Sequence, residues 1–154
     1  MGKMGSFNAN DLKKFQKELE KLNKNTGAFL QACAKELAAR LLRIVIKRTP
    51  VGEYTKSSGK KGGTLRRGWT GGGSVPAKSY ADSLEIRHVG DAYTVEIKNS
   101  TDYGVFVEYG HRTPDHKGWV PGRFMMTISE RELEKIAPKV LEKKLEKFLR
   151  SLLQ

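Results

Sequence analysis

From Leu12 to Val45, apolar residues return at helical spacing: Leu12, Phe15, Leu19 and Leu22, then Phe29, Leu30, Cys33, Leu37, Leu41 and Val45. Steps of three and four put them on one helix face, so residues 10–48 are expected to be helical. Asn25-Thr26-Gly27 interrupts the run. Asn and Thr cap helices well, and Gly inside one costs about 1 kcal/mol relative to Ala. The heptad-like phase continues across this gap, which favours one long helix, with any break or bend near 25–27. Pro50 ends it, because a proline pushes the residue before it out of helical geometry.

The polar and apolar pattern then changes period. Residues 84–89 (LEIRHV) and 92–99 (AYTVEIKN) alternate and are separated by Gly90-Asp91, a pair suited to a tight hairpin whose first position needs positive φ. Pairing across that turn sets Ile86 opposite Val95, Leu84 opposite Ile97 and His88 opposite Tyr93. One face is apolar, and the other carries Glu85, Arg87, Thr94, Glu96 and Lys98. The period returns to helical over 129–152, where Leu133, Ile136, Val140, Leu141, Leu145, Phe148, Leu149 and Leu152 form a stripe. Ser129 with Glu132 reads as a capping box, and Pro138 is expected to kink or divide this helix. Two helices and a one-sided hairpin each need an apolar face covered. The economical solution is α+β, with a long N-terminal and a C-terminal helix packed on a small antiparallel sheet (hairpin 84–99), to which Leu65–Thr70 offers a third strand.

At 154 residues with 38% hydrophobic positions, one core and therefore a single domain, 1–154, is expected. No apolar run reaches the roughly 18 residues needed to cross a bilayer, so no membrane partner is expected. The start, MGKMGSFNAND, has no secretory signal; Gly2 and Ser6 fit a loose myristoylation pattern, for which an ordinary cytosolic start is the plainer reading. Cys33 is the sole cysteine and lies among Ala32, Ala34 and Leu37, as small core filler would.

Charge is unevenly placed. The net +12 sits almost wholly in the first half and is densest from Arg43 to Arg67, where Arg43, Lys47, Arg48, Lys56, Lys60, Lys61, Arg66 and Arg67 face only Glu53. Part of this patch belongs to residues 50–80, a stretch rich in Gly, Ser and Lys that is expected to be a mobile loop. Neither GxxxxGK[ST] nor GxGxxG occurs in it. The basic loop residues Lys47, Arg48, Lys56, Lys60, Lys61, Arg66 and Arg67 suit an acidic partner surface or nucleic acid, and a basic nucleic-acid-binding module is the alternative function.

Catalytic patterns are weak. His88, His111 and His116 with Asp115 and Glu108 lack metal-site spacing, and no CxxC, HExxH or GxSxG occurs. A hydrolase built on His111 and Glu108 has no substrate to point to. No catalytic or metal site, cofactor or small-molecule substrate is therefore expected. The stretch Asp102–Met126 instead sets Tyr103, Glu108, Tyr109, His111, Arg112, Trp119 and Arg123 among Gly and Pro, a composition that anchors protein interfaces.

Three motifs in order carry a family resemblance. They are RTPVG (Arg48–Gly52) with GTLRRGW (Gly63–Trp69), NSTDYGVFVEYGHR (Asn99–Arg112) and GWVPGRFMM (Gly118–Met126). From about residue 28 onward the chain resembles the small neck and tail-completion proteins of tailed bacteriophages and prophages, also called minor tail or head–tail joining proteins. Gly104 stands where that family usually has Ala, and the GEYTKSSGKKGG and GGGSVPAKSYADS segments depart from its pattern. The resemblance implies a non-enzymatic structural part of the connector between capsid and tail, placed in the virion after assembly in the host bacterial cytoplasm. It implies a homo-oligomeric ring around the DNA channel, six-fold by preference, with other neck and tail proteins as partners and phage DNA nearby.

Overall fold

The computed structural model describes residues 9–153 and shows an α+β chain. Gly2 and Ser6 lie outside the described residues. Helix α1 runs unbroken from Ala9 to Arg48. Asn25-Thr26-Gly27 does not break it, because the Thr26 hydroxyl donates back to the Leu22 carbonyl at 2.7 Å and stays within the helical ladder. Thr49 closes the helix, its amide reaching the Val45 carbonyl just before Pro50.

Residues 50–80 are more structured than their glycine content suggests. A 3-10 turn, Lys56–Ser58, is followed by α2 (Thr64–Gly68) and, after a glycine-rich turn, by α3 (Ala77–Ser83). The third strand expected at Leu65–Thr70 is thus replaced by helix. Leu65, Gly68 and Trp69 are all buried, the i, i+3, i+4 spacing of one helix face, which a strand would split between its two faces.

The hairpin β1 (Ile86–Val89) and β2 (Ala92–Val95) has the expected register, with Ile86 opposite Val95 and His88 opposite Tyr93, the latter pair stacked at 4.3 Å. Gly90 takes the positive φ of the turn. The strands are shorter than expected because Leu84 is used to end α3, donating its amide to the Ala81 carbonyl. Then come α4 (Gly104–Tyr109), a second hairpin of β3 (Gly110–Arg112) and β4 (Trp119–Pro121), and α5 (Met125–Leu152). The two sheets are separate and two-stranded, so among the described residues every strand leaves one side unpaired.

Helix α5 starts four residues before the expected capping box. Ser129 is inside it, bonding back to the Met125 carbonyl, and Glu132 reaches across to Arg48 at 2.6 Å. Pro138 does not divide it. Helices α1 and α5 run antiparallel, as Arg48–Glu132, Glu36–Lys144 and the stacked Phe29–Phe148 pair show. The core forms where the inner half of α1 meets the other elements: Ala38, Ala39, Leu42 and Val45 pack with Leu65, Trp69, Ala81 and Met125. Cys33 is buried at its edge.

Candidate functional site

Three polar ties hold the connecting segments to this core, one anchored by Thr49 of the first motif and two by Asn99 and Glu108 of the second. The buried Thr49 hydroxyl donates to the Val45 carbonyl and accepts from the Trp69 indole N–H at 2.8 Å, joining the end of α1 to α2. Asn99 donates to the Leu65 carbonyl at 2.8 Å and accepts from the Thr101 amide and hydroxyl, while the Ser100 amide reaches the Gly68 carbonyl. Position 68 must be glycine for this approach, since a Cβ there would overlap the Asn99 amide. Glu108 performs the third tie. Its buried carboxylate accepts from the Met126 and Thr127 amides, both at 2.9 Å, and from the Thr127 hydroxyl at 2.8 Å. It is a remote cap for the first turn of α5, whose own preceding residue, Phe124, makes no side-chain cap.

Glu108 therefore has an internal structural role and is not on the surface with the other residues expected to meet partners. Those others cluster. Tyr103 starts α4; Tyr109 ends it and packs edge-on against Phe124. Across the second hairpin Arg112 pairs with Trp119 and His111 with Val120. The His111 ring is half-buried, edge-on to Phe106, with Nδ1 lacking a hydrogen-bond partner. Arg123 is exposed. Trp119 keeps 61% of its surface exposed, and Phe106, Tyr109 and Phe124 are also open. Together they make an aromatic patch on one corner of the chain.

The basic residues expected to act as one loop are divided by the structure. Arg66 folds back to donate to the Thr49 and Lys47 carbonyls at the end of α1; Arg67 holds the Gly62 carbonyl and the Thr64 hydroxyl; Arg48 is paired with Glu132. Lys56 and Lys61 are exposed, and Lys60 lies 5.9 Å from the Tyr54 ring centre. Lys47 is exposed on α1.

Sequence periodicity did not reveal which part of each apolar stripe would remain open. Phe148 of α5 stacks on Phe29 and α5 ends one turn later, so the outer part of α1 extends beyond it, about 24 Å for sixteen residues. Phe15, Leu19 and Leu22 stand exposed along this overhang, at 59%, 48% and 39%. The same helix face continues inward as the floor of a groove of about 690 Å³, lined by Phe29, Leu30, Cys33, Leu37, Leu141 and Leu145, with Tyr93 at its side and Asp91 and Glu142 at its rim. Burial raises the Cys33 thiol above its ordinary pKa; Lys144 opposes that shift and Glu36 adds to it. At an exposed turn, Asp115 is held below the usual carboxylate range by the Thr113 hydroxyl and the Lys117 amide.

Among the described residues there is no grouping of His, Cys, Asp and Glu able to hold a metal ion, and no helix is long and apolar enough to cross a membrane. The large open surfaces of the described residues are apolar and aromatic. Residues 13–110 match the family described as "Bacteriophage HK97-gp10, putative tail-component", well over half of the chain. The chain belongs to this family of bacteriophage tail components. The first motif falls inside the match, the second runs two residues past its end, and GWVPGRFMM lies beyond it. No curated protein and no solved structure matches the chain.

Proposed function

We propose that this tail component is a non-enzymatic subunit of the head–tail connector, assembling with copies of itself into a ring around the DNA channel and completing the neck of the virion. The observation that carries this reading is the apolar stripe of α1, which begins on an uncovered overhang and ends in an open groove. Phe15, Leu19 and Leu22 of one copy fill the groove of the next. Lysines 13, 14, 17, 21 and 24 on the overhang suit the acidic groove rim, Asp91 and Glu142. Stripe and groove are different surfaces, so the contact is head-to-tail, and such contacts close into a ring when the rotation per subunit divides a full turn. Six copies is the expected number. The aromatic corner of Tyr103, Tyr109, His111, Arg112, Trp119 and Arg123 then remains free to dock adjoining tail proteins, and no substrate is transformed.

Light scattering coupled to size exclusion tests this on the purified chain. The wild type is expected to assemble. The Phe15→Asp/Leu19→Asp/Leu22→Asp variant is expected to remain monomeric with unchanged helical circular dichroism, because these side chains are exposed in the single chain. A variant that assembles like wild type rejects the contact.

A further inference from the structure

On the other side of the α1–α5 pair lies a second seam, of opposite character. Two adjoining concavities of about 330 and 470 Å³ are lined by Glu36, Arg40, Lys139, Val140, Lys143, Lys144 and Lys147, and by Arg43, Ile44, Lys47, Arg48 and Glu132. On α1 these positions recur at three- and four-residue steps from 36 to 48; on α5, Lys139, Lys143 and Lys147 are four apart. The seam is therefore a continuous stripe, about 20 Å long at 1.5 Å per residue. Eight basic side chains meet two acidic ones, and both carboxylates are spent internally: Glu36 on Arg40 at 2.9 Å and Lys144 at 4.0 Å, Glu132 on Arg48 at 2.6 Å. Arg43, Lys47, Lys139, Lys143 and Lys147 are exposed, and no carboxylate among the described residues pairs with them.

We infer that this seam is a binding surface for the phosphodiester backbone of double-stranded DNA. Like charges four apart on a helix repel one another and weaken it, so the stripe is stabilised by a polyanion laid along it. No aromatic side chain lines the seam, whereas the aromatic corner described above has the anchors a protein partner requires. Backbone binding needs only spaced cations, and it is independent of base sequence. The inference also moves the DNA contact away from residues 50–80, since Arg66 and Arg67 are used within the fold. It deepens the connector reading, in which DNA is the polyanion at hand, but it is measured separately from assembly.

Fluorescence anisotropy with labelled mixed-sequence duplex DNA, titrated at about 50 mM salt and above, is the test; counterion release gives a log–log salt slope near 0.9 per phosphate engaged. Wild type is expected to bind with a slope magnitude of about 3 to 5, that is, three to five phosphates. Lys139→Gln/Lys143→Gln/Lys147→Gln is expected to weaken binding at least ~10-fold and lower the slope by about 2 to 3, the loss of two or three contacts. Lys56→Gln/Lys60→Gln/Lys61→Gln is expected to stay within ~2-fold, since backbone affinity follows the phosphates neutralised. Light scattering on the same samples shows whether assembly is retained, so loss of DNA binding alone leaves the ring reading intact. Absence of binding by wild type, loss confined to the Lys56/Lys60/Lys61 variant, or binding to polyglutamate in place of DNA each overturns the inference.

Discussion

The two halves of α1 have the same periodicity and opposite fates. From Ala38 to Val45 its apolar face is closed over by α2, α3, the first hairpin and α5, with Leu42 and Val45 fully buried. From Phe15 to Leu22 no helix or strand among the described residues closes over the same face, and the three side chains stay exposed. The difference teaches that an amphipathic pattern states that a face must be covered, and leaves open whether its own chain or another does so.

Mutation sharpens this contrast. The largest effect on folding is expected at the inner half, where Leu42→Ala should cost about 2–5 kcal/mol by denaturant unfolding, while Leu19→Ala should change stability by less than about 0.5 kcal/mol. Next comes Glu108→Ala, which strips the first turn of α5 of its three bonds and should cost about 2 kcal/mol, with loss of helical signal on mild heating. Trp119→Ala should cost under about 1 kcal/mol, as an exposed residue does, yet abolish capture of adjoining tail proteins in a pull-down. The smallest effect is a rate. Burial raises the Cys33 thiol, so it is less ionised than an ordinary thiol at the same pH; alkylation should be slow and should slow further as rising protein concentration covers the groove.

The sequence made both long helices and the hairpin register legible, because each rests on a repeat visible in neighbouring residues. Ile86 opposite Val95 follows from a two-residue turn alone. Residues 50–80 were harder to read, since eight glycines between 52 and 73 suggest a mobile loop. In the fold several of these glycines punctuate short elements: Gly59 ends the 3-10 turn and Gly63 precedes α2, both with positive φ. The spacing of Leu65 and Trp69 did not decide the matter, because residues four apart share a face in a strand as well as in a helix. The start of α5 could not be read locally at all, because its cap comes from Glu108, eighteen positions upstream of Met126, and only the folded chain brings them together. Likewise, Arg48, Arg66 and Arg67 look like surface charge in sequence, and only tertiary packing shows the groups they bind. The aromatic cluster of residues 103–124 was visible as composition, and the fold adds that most of its rings face outward.

The claim that one copy's overhang enters another's groove is tested most directly by Leu19→Cys. With Cys33 it would be one of only two cysteines in the chain. Fourteen residues of straight helix hold the two about 21 Å apart within a copy, far beyond disulfide reach, so only a thiol from a neighbouring copy can close the bond. Mild oxidation followed by non-reducing electrophoresis should give a ladder of covalent oligomers ending at the ring. A band that stays monomeric under conditions where the wild type assembles would contradict the account.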